Sequence, residues 1–183
     1  MPKTENAMSR EQMDLCIRET AKGSHEAFRR LYDECHRPIY LFALTILRDA
    51  QQAQDAVQET FLNLYAFAGT YRPGTNPRAW IFAIARNAST AILKKTPKNL
   101  VSPDALEHQP AVGADPAEES WQDLTALSVL NEDEQKILSL YVFAGLTQPE
   151  IARLLDLPYR TVRAKYGYAI KKLKKYYLTR GDA

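Results

Sequence analysis

Apolar residues recur at three- and four-residue steps along most of the chain, and no alternating pattern interrupts them, so the expected secondary structure is helical throughout. Phe28, Leu31, Tyr32 and Cys35 form one stripe, and Ile39, Phe42, Ala43, Ile46 and Leu47 form a second after Pro38. Val57, Phe61, Leu64 and Tyr65 make a third, and Trp80, Ile81, Ile84, Ala85, Ala88 and Ile92 a fourth. Four helices of that length can bury a bundle core. Between the last two stripes, residues 69–77 read GTYRPGTNP, where Pro and Gly forbid a continuous helix and leave a loop rich in hydrogen-bonding side chains.

Pro97, Pro103, Pro110 and Pro116 then fall among acids with almost no large apolar residue nearby, which is the composition of a linker. Beyond it Leu124, Leu127 and Leu130 form a short stripe, and Asn131 with Glu132, Asp133 and Glu134 reads as a helix cap with acids in the first turn. Ile137, Leu138, Tyr141 and Val142 follow on one face, and Gly145 is the expected stop. Thr147, Pro149 and Glu150 have the spacing of a helix start with a capping box. The spacing of Ala152, Asp156 and Val162 suits a helix-turn-helix, because a small residue lets the helices cross closely and Asp tolerates the left-handed turn. The expected fold is all-α: two small helical domains joined by an acidic, Pro-containing linker, the second a helix-turn-helix domain. The boundaries read as an extension over 1–24, a first domain over 25–96, a linker over 97–120 and a second domain over 121–183.

Charge sharpens this picture. The net +2 conceals a segregation in which residues 153–180 hold nine Lys or Arg and one acid, Asp156. That is the electrostatic footprint of a surface that docks on phosphates, although a basic helix can also be a plain solvated face. The second helix of the motif presents Tyr159, Arg160, Thr161, Arg163 and Lys165, and Lys171 and Lys172 extend the basic run. Arg160, Arg163 and Lys165 can reach guanine edges or phosphates.

Other classes lose support. The seven glycines are scattered with no GxxxxGK or GxGxxG, and His25, His36 and His108 lie in no catalytic motif, so an enzyme is not expected. Cys16 and Cys35 are expected as free thiols, with no metal site and no cofactor. No apolar run approaches the roughly 18 residues of a membrane span, and residues 1–14 lack a secretory pattern, which points to the cytoplasm.

The segments FRRLY at 28–32, DAVQETFL at 55–62, PRAWIFAIARN at 77–87 and LTQPEIA at 146–152 together resemble a bacterial sigma factor of the extracytoplasmic-function type, within the sigma-70 family. The resemblance spans residues 25–178. It implies a protein that binds core RNA polymerase, recognises promoter DNA and starts transcription. The first domain would bind the clamp helices of the beta-prime subunit and melt the minus-ten element; the second would bind the minus-thirty-five element and the beta flap.

Under that resemblance Tyr71, Asn76 and Arg78 are the expected contacts to the separated strand, since melting needs a site that traps unstacked bases. Trp80 reads as mainly structural, Arg86 as a backbone contact, and Asn87 as either a contact or a brace. Gln54, Asp55, Gln58, Glu59 and Leu62 form the expected polymerase-binding face. The family usually carries several acids just before Asp55, and Gln51, Gln52 and Gln54 stand there instead, which removes charge but not hydrogen-bonding capacity. Two regulators fit: an anti-sigma protein, or a Ser/Thr kinase adding charge at Thr60. The competing reading is a one-component helix-turn-helix regulator whose residues 25–95 sense a ligand or dimerise. Such a domain has no need for Tyr71, Asn76 and Arg78 in the loop before Trp80.

Overall fold

The computed structural model describes residues 8–96 and 126–180, so the linker lies outside the described residues. Its helices are α1 (Arg10–Ala21), α2 (His25–Leu47), α3 (Ala50–Phe67), α4 (Pro77–Lys95), α5 (Glu132–Val142), α6 (Gln148–Leu155) and α7 (Tyr159–Arg180). A short 3-10 turn, Ala68–Thr70, follows α3, and no strand occurs among the described residues. None of these helices is long and apolar enough to cross a membrane.

Local chemistry explains the boundaries. Ser9 accepts the N–H of Gln12 while the Gln12 side chain takes the N–H of Ser9, a reciprocal cap that starts α1. Asp49 caps α3 through the N–H of Gln52, and Asn131 with Glu134 forms a second reciprocal cap at α5. At α6 the Glu150 carboxylate takes both the N–H and the hydroxyl of Thr147, at 2.9 and 2.8 Å. Past the end of α5, Gly145 has φ +65° and the next N–H, of Leu146, returns to the Leu140 carbonyl, as the expected stop requires. Asp156 ends α6 at φ 55°, ψ 45°, the left-handed turn the motif needs.

Two expectations need correction. The stripes either side of Pro38 belong to one helix, α2, in which Pro38 is tolerated inside the run. Proline forfeits one backbone donor there, and the burial of Leu31, Cys35, Ile39 and Phe42 outweighs that loss. Residues 10–21 are also no mere extension: Met13, Cys16 and Ile17 lie in the same buried cluster as Leu31, Leu64 and Phe82. Helix α1 therefore completes the four-helix bundle. Cys16 and Cys35 are free and buried, and burial pushes the Cys35 thiol up to about 12.

The two bundles also pack on each other. Leu41 of α2 sits in a cluster whose other buried members, Leu127, Leu130, Leu138 and Ala169, all come from the C-terminal unit. Arg48 donates to the Gln135 side chain at 2.9 Å, while Gln135 donates to the Leu127 and Leu130 carbonyls. Asn76 Nδ2 donates to Glu150 Oε1 at 2.7 Å, tying the loop before α4 to the start of the helix-turn-helix.

Candidate nucleic-acid interface

The C-terminal surface is built by α6, the Asp156 turn and α7. Val162 and Ala169 are fully buried and fix the rotation of α7. Tyr159, Arg160, Arg163 and Lys171 are then exposed, and Thr161 is half-buried. Lys165 and Lys172 are held differently from the expectation. Lys165 Nζ lies 2.9 Å from Asp133, and Lys172 Nζ lies 2.7 Å from Glu134, which is only 3% exposed. The Lys165 hydrogen bond holds the Asp133 carboxyl below its usual range. Burial opposes ionisation of Glu134, but the hydrogen bonds from Lys172 and the Asn131 N–H outweigh it and its carboxyl also lies low. These two lysines fasten α7 to α5, so the cationic face offered outward is carried by Arg160 and Arg163, with Lys171 farther along the helix.

A second polar surface forms where the chain turns into α4. Asn76 caps that helix, its Oδ1 accepting from the N–H groups of Arg78 and Ala79, and Pro77 follows as the first helical residue. Arg78 is paired with the Glu34 carboxylate of α2, which also accepts the N–H of Met8. Tyr71 is only 6% exposed; its ring lies 5.3 Å from Trp80 and its hydroxyl donates to Asp14 at 2.8 Å. Burial, reinforced by the Asp14 carboxylate, raises the Tyr71 phenol to about 12. Tyr71 and Arg78 are thus supports of the loop in this conformation and not free groups awaiting a base. What the loop exposes is its tip, Arg72 to Thr75. Trp80 is half-buried against the core, Arg86 is half-buried and Asn87 exposed farther along α4.

On α3, Gln54, Asp55, Gln58, Glu59 and Leu62 are all exposed and follow the helical repeat along one side, with Leu62 67% exposed. Gln51 Nε2 donates to Asp55, whereas Gln52 accepts from the Thr96 hydroxyl and braces the end of α4. Thr60 faces the other way. It is fully buried and its hydroxyl donates to the Ala56 carbonyl at 2.6 Å, so the expectation of kinase modification there does not hold in the folded chain.

Arg10, Asp14, Glu34, Asp133 and Glu134 were missed as parts of these surfaces. Met13, Cys16, Ile17 and Thr20 at three- and four-residue steps were the available signal that α1 joins the bundle; for the acids of α5, only the helix cap was legible.

The arrangement is that of a two-unit, all-helical DNA-binding protein, with a helix-turn-helix in one unit and a polar loop at a helix start in the other. Residues 31–96 match the model of Sigma-70 region 2, and residues 126–175 match that of Sigma-70, region 4. The chain belongs to the sigma-70 family, among the extracytoplasmic-function sigma factors. It is 27% identical over 172 residues to a probable RNA polymerase sigma factor, RfaY, of Xanthomonas campestris pv. campestris; the match covers 88% of this chain but 43% of that protein's length. It is 22% identical over 171 residues to the ECF RNA polymerase sigma factor SigK of Mycobacterium sp. (strain KMS), covering 88% of this chain and 89% of that one. In fold it is similar to CnrH in complex with the cytosolic domain of CnrY, with TM-score 0.64, 21% identity, and 94% and 99% of the two chains covered. A second similar structure is the sigma factor RpoE in complex with the anti-sigma factor NepR from Bartonella quintana, with TM-score 0.62, 20% identity, and 81% and 94% covered.

Proposed function

We propose that this chain binds core RNA polymerase in the cytoplasm and directs it to promoters by reading two separate elements, opening the duplex at the one nearer the start site. The observation that carries this reading is the presence, in order on one chain, of both family regions with two unlike polar surfaces. An exposed cationic face on α7 suits duplex DNA, and a loop at a helix start suits bases that have left the stack. In this reading the exposed side of α3 docks on the beta-prime clamp helices, and the C-terminal unit engages the minus-thirty-five element and the beta flap.

Geometry adds a requirement. The two elements lie about 25 base pairs apart, or roughly 85 Å of duplex at about 3.4 Å per step. A helical unit of this size has a radius of gyration of about 10 Å, so two units touching at Asn76 and Glu150 cannot read both elements together. The units must part on the promoter. A protein that binds the packed form would oppose this. An anti-sigma partner is therefore the regulator this reading adopts, supported by the complex that the similar RpoE forms with the anti-sigma factor NepR.

The test is co-sedimentation with core RNA polymerase, followed by footprinting on promoter fragments. A polymerase complex that protects two separated elements only when the chain is present is expected. Tight duplex binding without any association with polymerase would instead favour a one-component regulator.

A further inference from the structure

The loop before α4 is shaped from outside its own unit of sequence. Arg10 and Asp14 stand one turn apart on α1 and grip both polar groups of a single residue, Gly74: Arg10 Nη2 donates to its carbonyl at 3.0 Å, and its N–H donates to Asp14 Oδ1 at 3.2 Å. The same Asp14 oxygen accepts the Tyr71 hydroxyl at 2.8 Å, and that hydroxyl also lies 3.1 Å from the Thr75 carbonyl. Gly74 has φ +83°, a conformation that other residues resist, so the peptide is held where only glycine sits without strain. Tyr71 packs on Trp80, which fixes the inner side of the loop against the core.

We propose that Asp14 and Arg10 are specificity-positioning residues: through Gly74 and Tyr71 they set the shape of the exposed tip, Arg72 to Thr75, and thereby which bases of the opened strand it accepts. This rests on the promoter-opening function proposed above. Neither residue need touch DNA. A tip held at both ends by α1 presents its backbone and the Arg72 side chain in one arrangement, and preorganisation of that kind favours one fitting base over others. A tip released from α1 samples several shapes and discriminates less.

The choice of variants follows from the atoms. One oxygen of Asp14 serves both donors, so Asp14→Asn keeps an acceptor for Tyr71 and Gly74, whereas Asp14→Ala removes it. The experiment uses the full chain with core RNA polymerase on a promoter library randomised over both elements. It compares the unaltered chain, Asp14→Asn, Asp14→Ala, and the Arg10→Ala/Asp14→Ala pair. Permanganate reactivity reports opening, the recovered sequences report base preference, and thermal melting reports stability. Expected are a fall in opening of about tenfold and a flattened preference at the minus-ten element for Asp14→Ala and the pair. The minus-thirty-five preference should stay intact, with most of the loss restored in Asp14→Asn. An unchanged minus-ten preference in the pair overturns the proposal. So does loss of both preferences in step with melting temperature, which marks a purely structural role. An unaltered chain that directs no opening removes the promoter reading itself, and the positioning role with it.

Discussion

Replacing Leu41 by Ala probes whether the two units pack as described. Leu41 is 7% exposed, and the other buried members of its cluster are Leu127, Leu130, Leu138 and Ala169, all from the C-terminal unit. Burying a leucine side chain contributes about 1.5–3 kcal/mol, and truncation adds a cavity term because close-packed neighbours relax only in part. A loss of about 2–4 kcal/mol is expected if the units are packed. Were they free of each other, Leu41 would lie on an open surface, where such a change costs no more than about 0.5 kcal/mol. Urea unfolding followed by circular dichroism measures the difference, and hydrogen exchange in α2 and α5 locates it. In the proposed function the units part on the promoter, and on that reading the same substitution should leave affinity for a polymerase–promoter complex unchanged or improve it. A stability loss within about 0.5 kcal/mol would refute the packing, and with it the argument that the packed form must open.

Other outcomes follow from single interactions. Arg160→Ala and Arg163→Ala should each lower the salt dependence of duplex binding by about one unit of slope if they meet phosphates. Lys172→Ala should leave that slope alone while costing about 1–3 kcal/mol of stability, since it takes the lysine from the buried Glu134 carboxylate and leaves it the Asn131 N–H; salt titrations and chemical unfolding separate the two effects. Asp133, Glu134 and Glu150 all have carboxyls held below their usual range, so their stabilising contribution is complete above about pH 5 and is lost as pH falls through the folded values. Melting temperature against pH should therefore drop on acidification, and less steeply in Glu150→Gln. Gln54→Glu should tighten polymerase binding in a salt-sensitive way by adding charge to the exposed side of α3, whereas Gln52→Glu should do so less, because its side-chain oxygen stays engaged as the acceptor of the Thr96 hydroxyl.

The periodic stripes make the helices legible in the sequence, and the Thr147–Glu150 spacing with Asp156 in the turn marks the helix-turn-helix. Periodicity speaks for one helix at a time, however, and what it left hidden are relations between helices. Pro38 read as a break because its lost donor is a local cost, whereas the burial that offsets it comes from α1, α3 and α4. Polar side chains in a loop read as open contacts, yet Tyr71 and Arg78 are engaged by Asp14 and Glu34, which are 57 and 44 residues away in sequence. Lys165 and Lys172 read as part of one basic face because their acidic partners lie on α5. Thr60 read as modifiable because a hydroxyl's accessibility depends on which way its helix faces, and here it faces the core.

The central claim is tested most directly by transcription in a purified system containing core RNA polymerase, a pool of promoter fragments and this chain. Transcripts that depend on the chain and share two sequence elements about 25 base pairs apart are expected, with Arg160→Ala/Arg163→Ala altering only the upstream one. Polymerase that gains no promoter-specific initiation from the chain, while the chain still binds duplex DNA by itself, would contradict the account.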